Sequence, residues 1–309
     1  MLEAQSGATF KLPSAVASAV QAYYRFNASC KEGEVAEAQP PLVLLIGMGS
    51  AMSDWGGSFL QKLRAAMPCG REILALEWRG AGLSTDFSDQ PLTYYSMADG
   101  VLQLLDALHM SGPVDILGMS TGGDIALLLA ALHPERVGRL IGIGAMAGSK
   151  YTVLPDLTYI FDPASFANLT QAQQLAVLFP PQNETFFKQA VCAFVASLMS
   201  LPDFMTQVNA TVMEGQYLAD NNFTSVDSTV WDRLPSITQP VLLLDGSLDT
   251  PVPPINARLI AGQLPDARVL YFDGWGHGLM VKEAGSRLAA ITAQFLGGSE
   301  PPGAFAVQK

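Results

Sequence analysis

The residues able to do covalent chemistry in this chain concentrate in three places. Gly118-Met119-Ser120-Thr121-Gly122 forms a G-x-S-x-G pattern between the apolar strand-like segment PVDILGM (113–119) and an apolar helix-like one. A serine hydroxyl becomes a useful nucleophile when it is sharply presented and a neighbouring base takes its proton. A strand-to-helix turn tight enough to present it strains the backbone and leaves no room for side chains two positions either side. Gly118 and Gly122 meet that need, and Gly123 predicts close packing of the helix that follows. The same turn aims residues 119–121 at a helix N-terminus, where free N–H groups favour developing negative charge.

A serine needs a base, and the base needs an acid to orient it. The chain holds three histidines. His109 closes the helical stretch 93–110, where the helix dipole favours it, and His133 sits at a helix end before a proline. His277, in DGWGHGLM, falls in a glycine-rich loop after the last predicted strand, where parallel sheets place their ligands. Elimination and position both select His277 as general base. For the acid, the strand VLLLDG (241–246) runs into SLDTPVPP, so Asp249 lies in the loop beyond the strand end, fixed by a proline-rich turn. Asp245 lies nearer the strand and reads as half-buried and structural. The resulting chain order, Ser120, Asp249, His277, is that of one particular fold.

The elements that must position these groups follow a strand–helix rhythm. Strands are expected at 20–26, 41–48, 72–78, 113–119, 139–146, 240–246 and 267–274, with helices near 55–67, 93–110, 122–133, 254–263 and 280–296. Repetition of this kind predicts a mostly parallel sheet covered by helices on both faces, an α/β fold. Between about 148 and 235 the strand pattern stops, and 164–179, 184–200 and 203–220 read as helices. The expected organisation is an α/β core over 1–147 and 236–297, a helical insertion over 148–235, and a loose Gly/Pro-rich tail over 298–309.

Composition narrows the partners. Seventeen basic and 28 acidic residues give a net charge of −11, with no basic block to meet a polyanion, so nucleic acid is excluded as a partner. The longest apolar runs stop well short of the roughly 18 residues that span a bilayer, so no integral membrane segment is expected. Cys30, Cys69 and Cys192 are too few for a disulfide framework or zinc site and read as buried thiols. No secretory leader is visible, which points to the cytoplasm. Against that, five of the seven asparagines stand in N-x-S/T triplets (Asn27, Asn168, Asn183, Asn209, Asn222), which permits a secreted protein whose leader is absent.

Taken together, the motifs resemble the α/β-hydrolase superfamily over nearly the whole chain. The family's glycine turn after the third strand matches Gly47-Met48-Gly49, and its turn after the fourth matches Glu77-Trp78-Arg79-Gly80-Ala81-Gly82-Leu83-Ser84. The nucleophile elbow matches Gly118 to Gly123, the acid loop Gly246 to Asp249, and the final Gly-His pair Gly276-His277. Two positions depart: Ile46 stands where the family has histidine, and Glu77 where it has aspartate. The resemblance implies an oxyanion hole made by the backbone N–H groups of Met48 and of Thr121, the residue after the nucleophile. It implies that 148–235 is a lid over the site. Serine as nucleophile separates the chain from the superfamily's epoxide hydrolases and haloalkane dehalogenases, which use aspartate.

The implied activity is cleavage of a carboxylic ester, or a related acyl bond, through an acyl-enzyme, with no metal and no organic cofactor. The large apolar lid residues Phe161, Phe166, Phe179, Phe186, Phe187, Phe194, Met199, Phe204, Met205, Met213, Phe223 and Trp231 form either an apolar acyl pocket or the lid's own core. With the acidic surface they favour small or medium uncharged esters. The same triad could serve a C–C bond hydrolase, a cofactor-free perhydrolase or an acyltransferase. A small-molecule receptor with little turnover is the reading from another class. The sequence does not set an oligomeric state.

Overall fold

Eight strands hydrogen-bond into one sheet in the order β1-β2-β4-β3-β5-β6-β7-β8. The computed structural model describes residues 8–11, 20–85, 91–155, 165, 168–180, 184–201 and 208–307. The strands are β1 (Ala8–Lys11), β2 (Val20–Asn27), β3 (Leu42–Leu45), β4 (Glu72–Leu76), β5 (Val114–Met119), β6 (Val137–Ile143), β7 (Val241–Gly246) and β8 (Ala267–Phe272). From β4 to β8 every pairing is parallel, while β1 and β2 run antiparallel at one edge. β3, β5 and β7 are buried along their whole length, as continuous apolar runs in a doubly covered sheet must be.

Helices α1 (Gly57–Ala66), α2 (Tyr94–Ala107), α3 (Thr121–Leu132) and α8 (Ile255–Gln263) connect strands of the core, and α9 (Lys282–Leu296) follows β8. Between β6 and β7 stand α4 (Gln171–Leu178), α5 (Glu184–Leu198), α6 (Ala210–Ser225) and the short α7 (Thr229–Arg233). The third insertion helix runs later than its expected range of 203–220. It starts at Ala210 because Asn209 caps it, with Oδ1 accepting from the Val212 N–H at 2.9 Å. Positions 203–207 of that expectation lie outside the described residues, as do Phe161, Phe166, Phe204 and Met205. β1 carries too few residues for a period-2 pattern and was not expected.

Two sequence expectations are overturned. Cys30 and Cys69 form a disulfide, and Cys192 is exposed, so none of the three is a buried thiol. The reason is the antiparallel pairing of β2 with β4, which sets Asn27 opposite Glu72. The same register continued three residues brings Cys30 to Cys69, with 4.5 Å between their Cα atoms. The C-terminal tail is also not loose. Phe305 exchanges both backbone hydrogen bonds with Val269 of β8 (2.9 and 3.0 Å), and its ring lies 6.1 Å from that of Tyr271.

Within the sheet, Asp115 of β5 pairs with Arg71, and both side chains are buried. Asp115 also accepts from the Arg139 N–H at 2.6 Å, so one carboxylate binds the start of β4 to β6 across β5. Nε and Nη1 of Arg71 have no hydrogen-bond partner. The guanidinium therefore depends on Asp115 for the neutralisation of its charge.

Candidate active site

Ser120 stands between β5 and α3 with φ 54° and ψ −127°, a backbone conformation rarely adopted by residues with a side chain. The glycines around it are dictated by contact. A Cβ at Gly118 would run into the Gly122 carbonyl, and one at Gly122 into the carbonyls of Leu45 and Ile46. A Cβ at Gly123 would lie 2.8 Å from that of Ala145, which explains the close packing of α3 beyond the turn. Thr121 opens α3, so its amide is among the N–H groups a helix leaves unpaired at its start.

Gly47 brings the loop after β3 against the serine, since a Cβ there would lie 3.2 Å from Ser120 Cβ and 3.7 Å from Oγ. Met48, expected to supply one oxyanion-hole amide, follows directly in this loop, and Thr121, expected to supply the other, follows Ser120. The turn after β4 braces this loop from behind. Trp78 donates from Nε1 to the Ile46 carbonyl at 2.9 Å. The buried Glu77 carboxylate accepts from the amides of Met52 (3.0 Å), Leu83 (2.5 Å) and Ser84 (3.2 Å). Burial raises its pKa, and those three amide hydrogen bonds oppose the shift. The two departures from the family pattern thus sit in a hydrogen-bonded scaffold.

His277 and Asp249 meet in the buried interior, with Nδ1 and Oδ2 2.6 Å apart. The other Asp249 oxygen accepts from the Val252 N–H at 2.8 Å, so the proline-rich turn does fix the carboxylate. Both side chains close on Gly144, where a Cβ would approach His277 Nδ1 at 2.9 Å and Asp249 Oδ2 at 3.2 Å. Gly144 adjoins Ile143, whose carbonyl accepts the Ser120 N–H at 2.7 Å. The imidazole and the serine therefore converge on one two-residue stretch at the end of β6. Ser120 Oγ makes no hydrogen bond to His277, and a nucleophile and base can close that distance only when substrate binds.

The rival assignments separate cleanly. Asp245 is buried at the end of β7, and one of its oxygens has no partner. Burial first, and then the charge of Asp249, push its carboxyl well above the ordinary range. His133 follows α3, whose twelve residues carry it about 18 Å from the elbow. His109 is exposed beyond the end of α2. No group of three or more His, Cys, Asp or Glu among the described residues is arranged to hold a metal ion.

The family model for the alpha/beta hydrolase fold matches residues 40–284. The chain belongs to that family. This α/β hydrolase is 27% identical over 258 residues to a 2-hydroxymuconate semialdehyde hydrolase of Pseudomonas sp. (strain CF600), covering 83% of this chain and 86% of the relative. It is 29% identical over 259 residues to the pimeloyl-[acyl-carrier protein] methyl ester esterase of Aromatoleum aromaticum, covering 77% and 91%. Among solved structures it resembles an alpha/beta hydrolase fold protein from Chitinophaga pinensis, with a TM-score of 0.77, 20% identity, and 95% and 98% of the two chains covered.

Around the hydrolase site the structure adds residues that sequence reasoning missed. Gln216 of α6 accepts the Gly49 N–H on Oε1 at 2.8 Å. Tyr94 of α2 sets its hydroxyl 2.5 Å from Asp220 Oδ1 and 3.2 Å from Thr121 Oγ1. None belongs to a recognisable motif, and only the i, i+4 spacing of Gln216 and Asp220 hinted at a shared helix face. Of the insertion's large apolar residues, Phe179 and Phe223 are fully buried. Phe186, Phe187, Phe194 and Trp231 pack against the core, whereas Met199 is exposed. Met213 lies against the loop after β3, where a Cβ at Gly49 would run into its side chain.

Proposed function

We propose that this chain is a serine hydrolase that cleaves a carboxylic ester through an acyl-enzyme, with Ser120 as nucleophile, His277 as general base and Asp249 as the orienting acid. The observation that carries the proposal is the buried His277 Nδ1 to Asp249 Oδ2 hydrogen bond at 2.6 Å against Gly144, next to the Ile143 carbonyl that holds the amide of a serine at φ 54°. Asp249 fixes the tautomer that leaves Nε2 unprotonated and stabilises the imidazolium once formed. Nε2 takes the Oγ proton as the serine attacks the acyl carbon. The Met48 and Thr121 amides hold the resulting oxyanion. The imidazolium then protonates the departing alcohol, and water, activated by the same base, releases the acid.

Helices α4 to α7 act as the lid in this reading. Its grip on the base loop supports that role: Gly278 donates to the Leu178 carbonyl at 2.9 Å, and a side chain at Gly276 would strike Pro180. The substrate is a small or medium uncharged acyl compound, with Met213 at the oxyanion loop as an apolar wall. The first-mentioned relative is named for a semialdehyde, which keeps cleavage of an acyl bond other than an ester as the second reading.

No helix among the described residues is long and apolar enough to cross a membrane. The Cys30–Cys69 disulfide favours an oxidising compartment over the expected cytoplasm. Asn27, Asn168, Asn209 and Asn222 are all exposed, in keeping with that choice, and Asn183 lies outside the described residues.

A fluorophosphonate probe tests the assignment. It is expected to label the wild type and spare Ser120→Ala, with p-nitrophenyl butyrate hydrolysis lost in Ser120→Ala and His277→Ala. Labelling at another residue would overturn the nucleophile. A burst of p-nitrophenol without turnover would instead indicate a receptor.

A further inference from the structure

Two polar side chains of α6 are buried at a cost in stability that the fold does not explain. Gln216 is 1% exposed, yet its Nε2 has no hydrogen-bond partner, and its carboxamide makes one polar contact among the described residues, to the Gly49 N–H. Asp220 is 7% exposed, and burial pushes its carboxyl up to about 6. Apolar residues at these positions would satisfy the packing without leaving a donor unpaired or a carboxylate desolvated. Polar groups kept in such places are found where function requires them.

Their partners show what that function is. Gly49 adjoins Met48, and Thr121 is bonded to Asp220 through the Tyr94 hydroxyl. Gln216 and Asp220 are four residues apart and so lie one above the other on one helix face. We infer that α6 positions both halves of the oxyanion hole, Gln216 setting the Met48 amide through Gly49 and Asp220 setting Thr121 through Tyr94. Gly49 has φ +69°, and a Cβ there would run into Met213, so the loop also touches this helix through its backbone. The hole is therefore in register only when α6 is seated. Gln216, Tyr94 and Asp220 are positioning residues and do not touch the reacting atoms.

This inference rests on the serine-hydrolase reading and deepens it. A donor in such a hole contributes roughly 10²–10³ in rate, so one displaced from its place should forfeit part of that factor. Gln216→Leu and Tyr94→Phe are each expected to lower kcat for p-nitrophenyl butyrate about 10- to 100-fold, with KM within about threefold of the wild type. Each should weaken inhibition by an aryl trifluoromethyl ketone, whose serine adduct carries an oxyanion, by the same factor as kcat. A purely structural role would lower the yield of folded protein without linking those two measurements. Leu218→Ala, on the same helix but 57% exposed, serves as control and should match the wild type.

Unchanged kcat in both variants, or a fall in kcat with unaltered ketone affinity, overturns the inference. Should Gln216→Leu fail to fold, Tyr94→Phe, which removes only a hydroxyl, decides alone. Ser120→Ala separates the two levels. If it is inactive while the α6 variants are normal, only the positioning role fails; if it is active, the hydrolase reading fails with it.

Discussion

Replacing Asp220 by asparagine should make this protein more stable, and increasingly so as the pH rises. Burial raises the Asp220 carboxyl from 3.8 to about 6, so the folded chain binds its proton more tightly than the unfolded chain does. Stability then falls as pH rises between about 4 and 6 and is level above that range. A difference of about two pKa units corresponds to about 3 kcal/mol at pH 8, of which about half is already lost at pH 5. Asp220→Asn keeps an oxygen to accept from Tyr94 but cannot ionise. Its stability relative to wild type should therefore grow by about 1.5 kcal/mol between pH 5 and pH 8. Some of this gain passes through Asp124, a buried neighbour whose carboxyl is pushed well up by burial and then by the charge of Asp220. A small cavity is lined by Asp220, Met146, Leu154, Pro155, Tyr217, Asn221 and Thr224. Urea unfolding of both proteins at pH 5, 6.5 and 8 measures the effect. Two parallel stability curves would refute the reasoning, because they would mean that Asp220 carries no ionisation cost.

Three other perturbations have expected outcomes of different kinds. Asp115→Ala leaves the buried Arg71 charge uncompensated and should cost about 3–5 kcal/mol in urea unfolding, much of it recovered when Arg71 is also replaced by methionine. Opening the Cys30–Cys69 disulfide frees a 39-residue span and should cost about 4 kcal/mol, read as a lower melting temperature with reductant or in Cys30→Ser/Cys69→Ser. Gly122→Ala forces a methyl onto the Leu45 and Ile46 carbonyls, so fluorophosphonate labelling should slow at least tenfold even where the variant stays folded.

Much of the fold was legible because its signals are local. Runs such as LVLL and VLLLDG can be little else than buried strands, and the glycines of the elbow answer a steric demand made within five residues. His277 could be chosen because the two other histidines had ordinary places at helix ends. What stayed hidden depended on distance in sequence. The disulfide follows from a strand register that joins residues 39 apart, and the tail's place follows from the open edge of β8. Gln216, Tyr94 and Asp220 are common residues in common helices, and only tertiary packing brings them to the serine. The apolar insertion residues illustrate the same limit, since composition could not separate a lid core from an acyl pocket.

The pairing of Phe305 with Val269 has a consequence for assembly. A strand at the end of a sheet offers unpaired amides and carbonyls to any other extended chain, and β8 would be such a template. The last described residues of the chain meet it first: Phe305 takes the Val269 groups, Tyr271 and Arg258 hold its ring, and Pro301 is buried nearby. The tail thus covers part of the β8 edge that would otherwise lie open to pairing. A chain ended at Gly298 should keep its site and its melting temperature and become prone to association through β8.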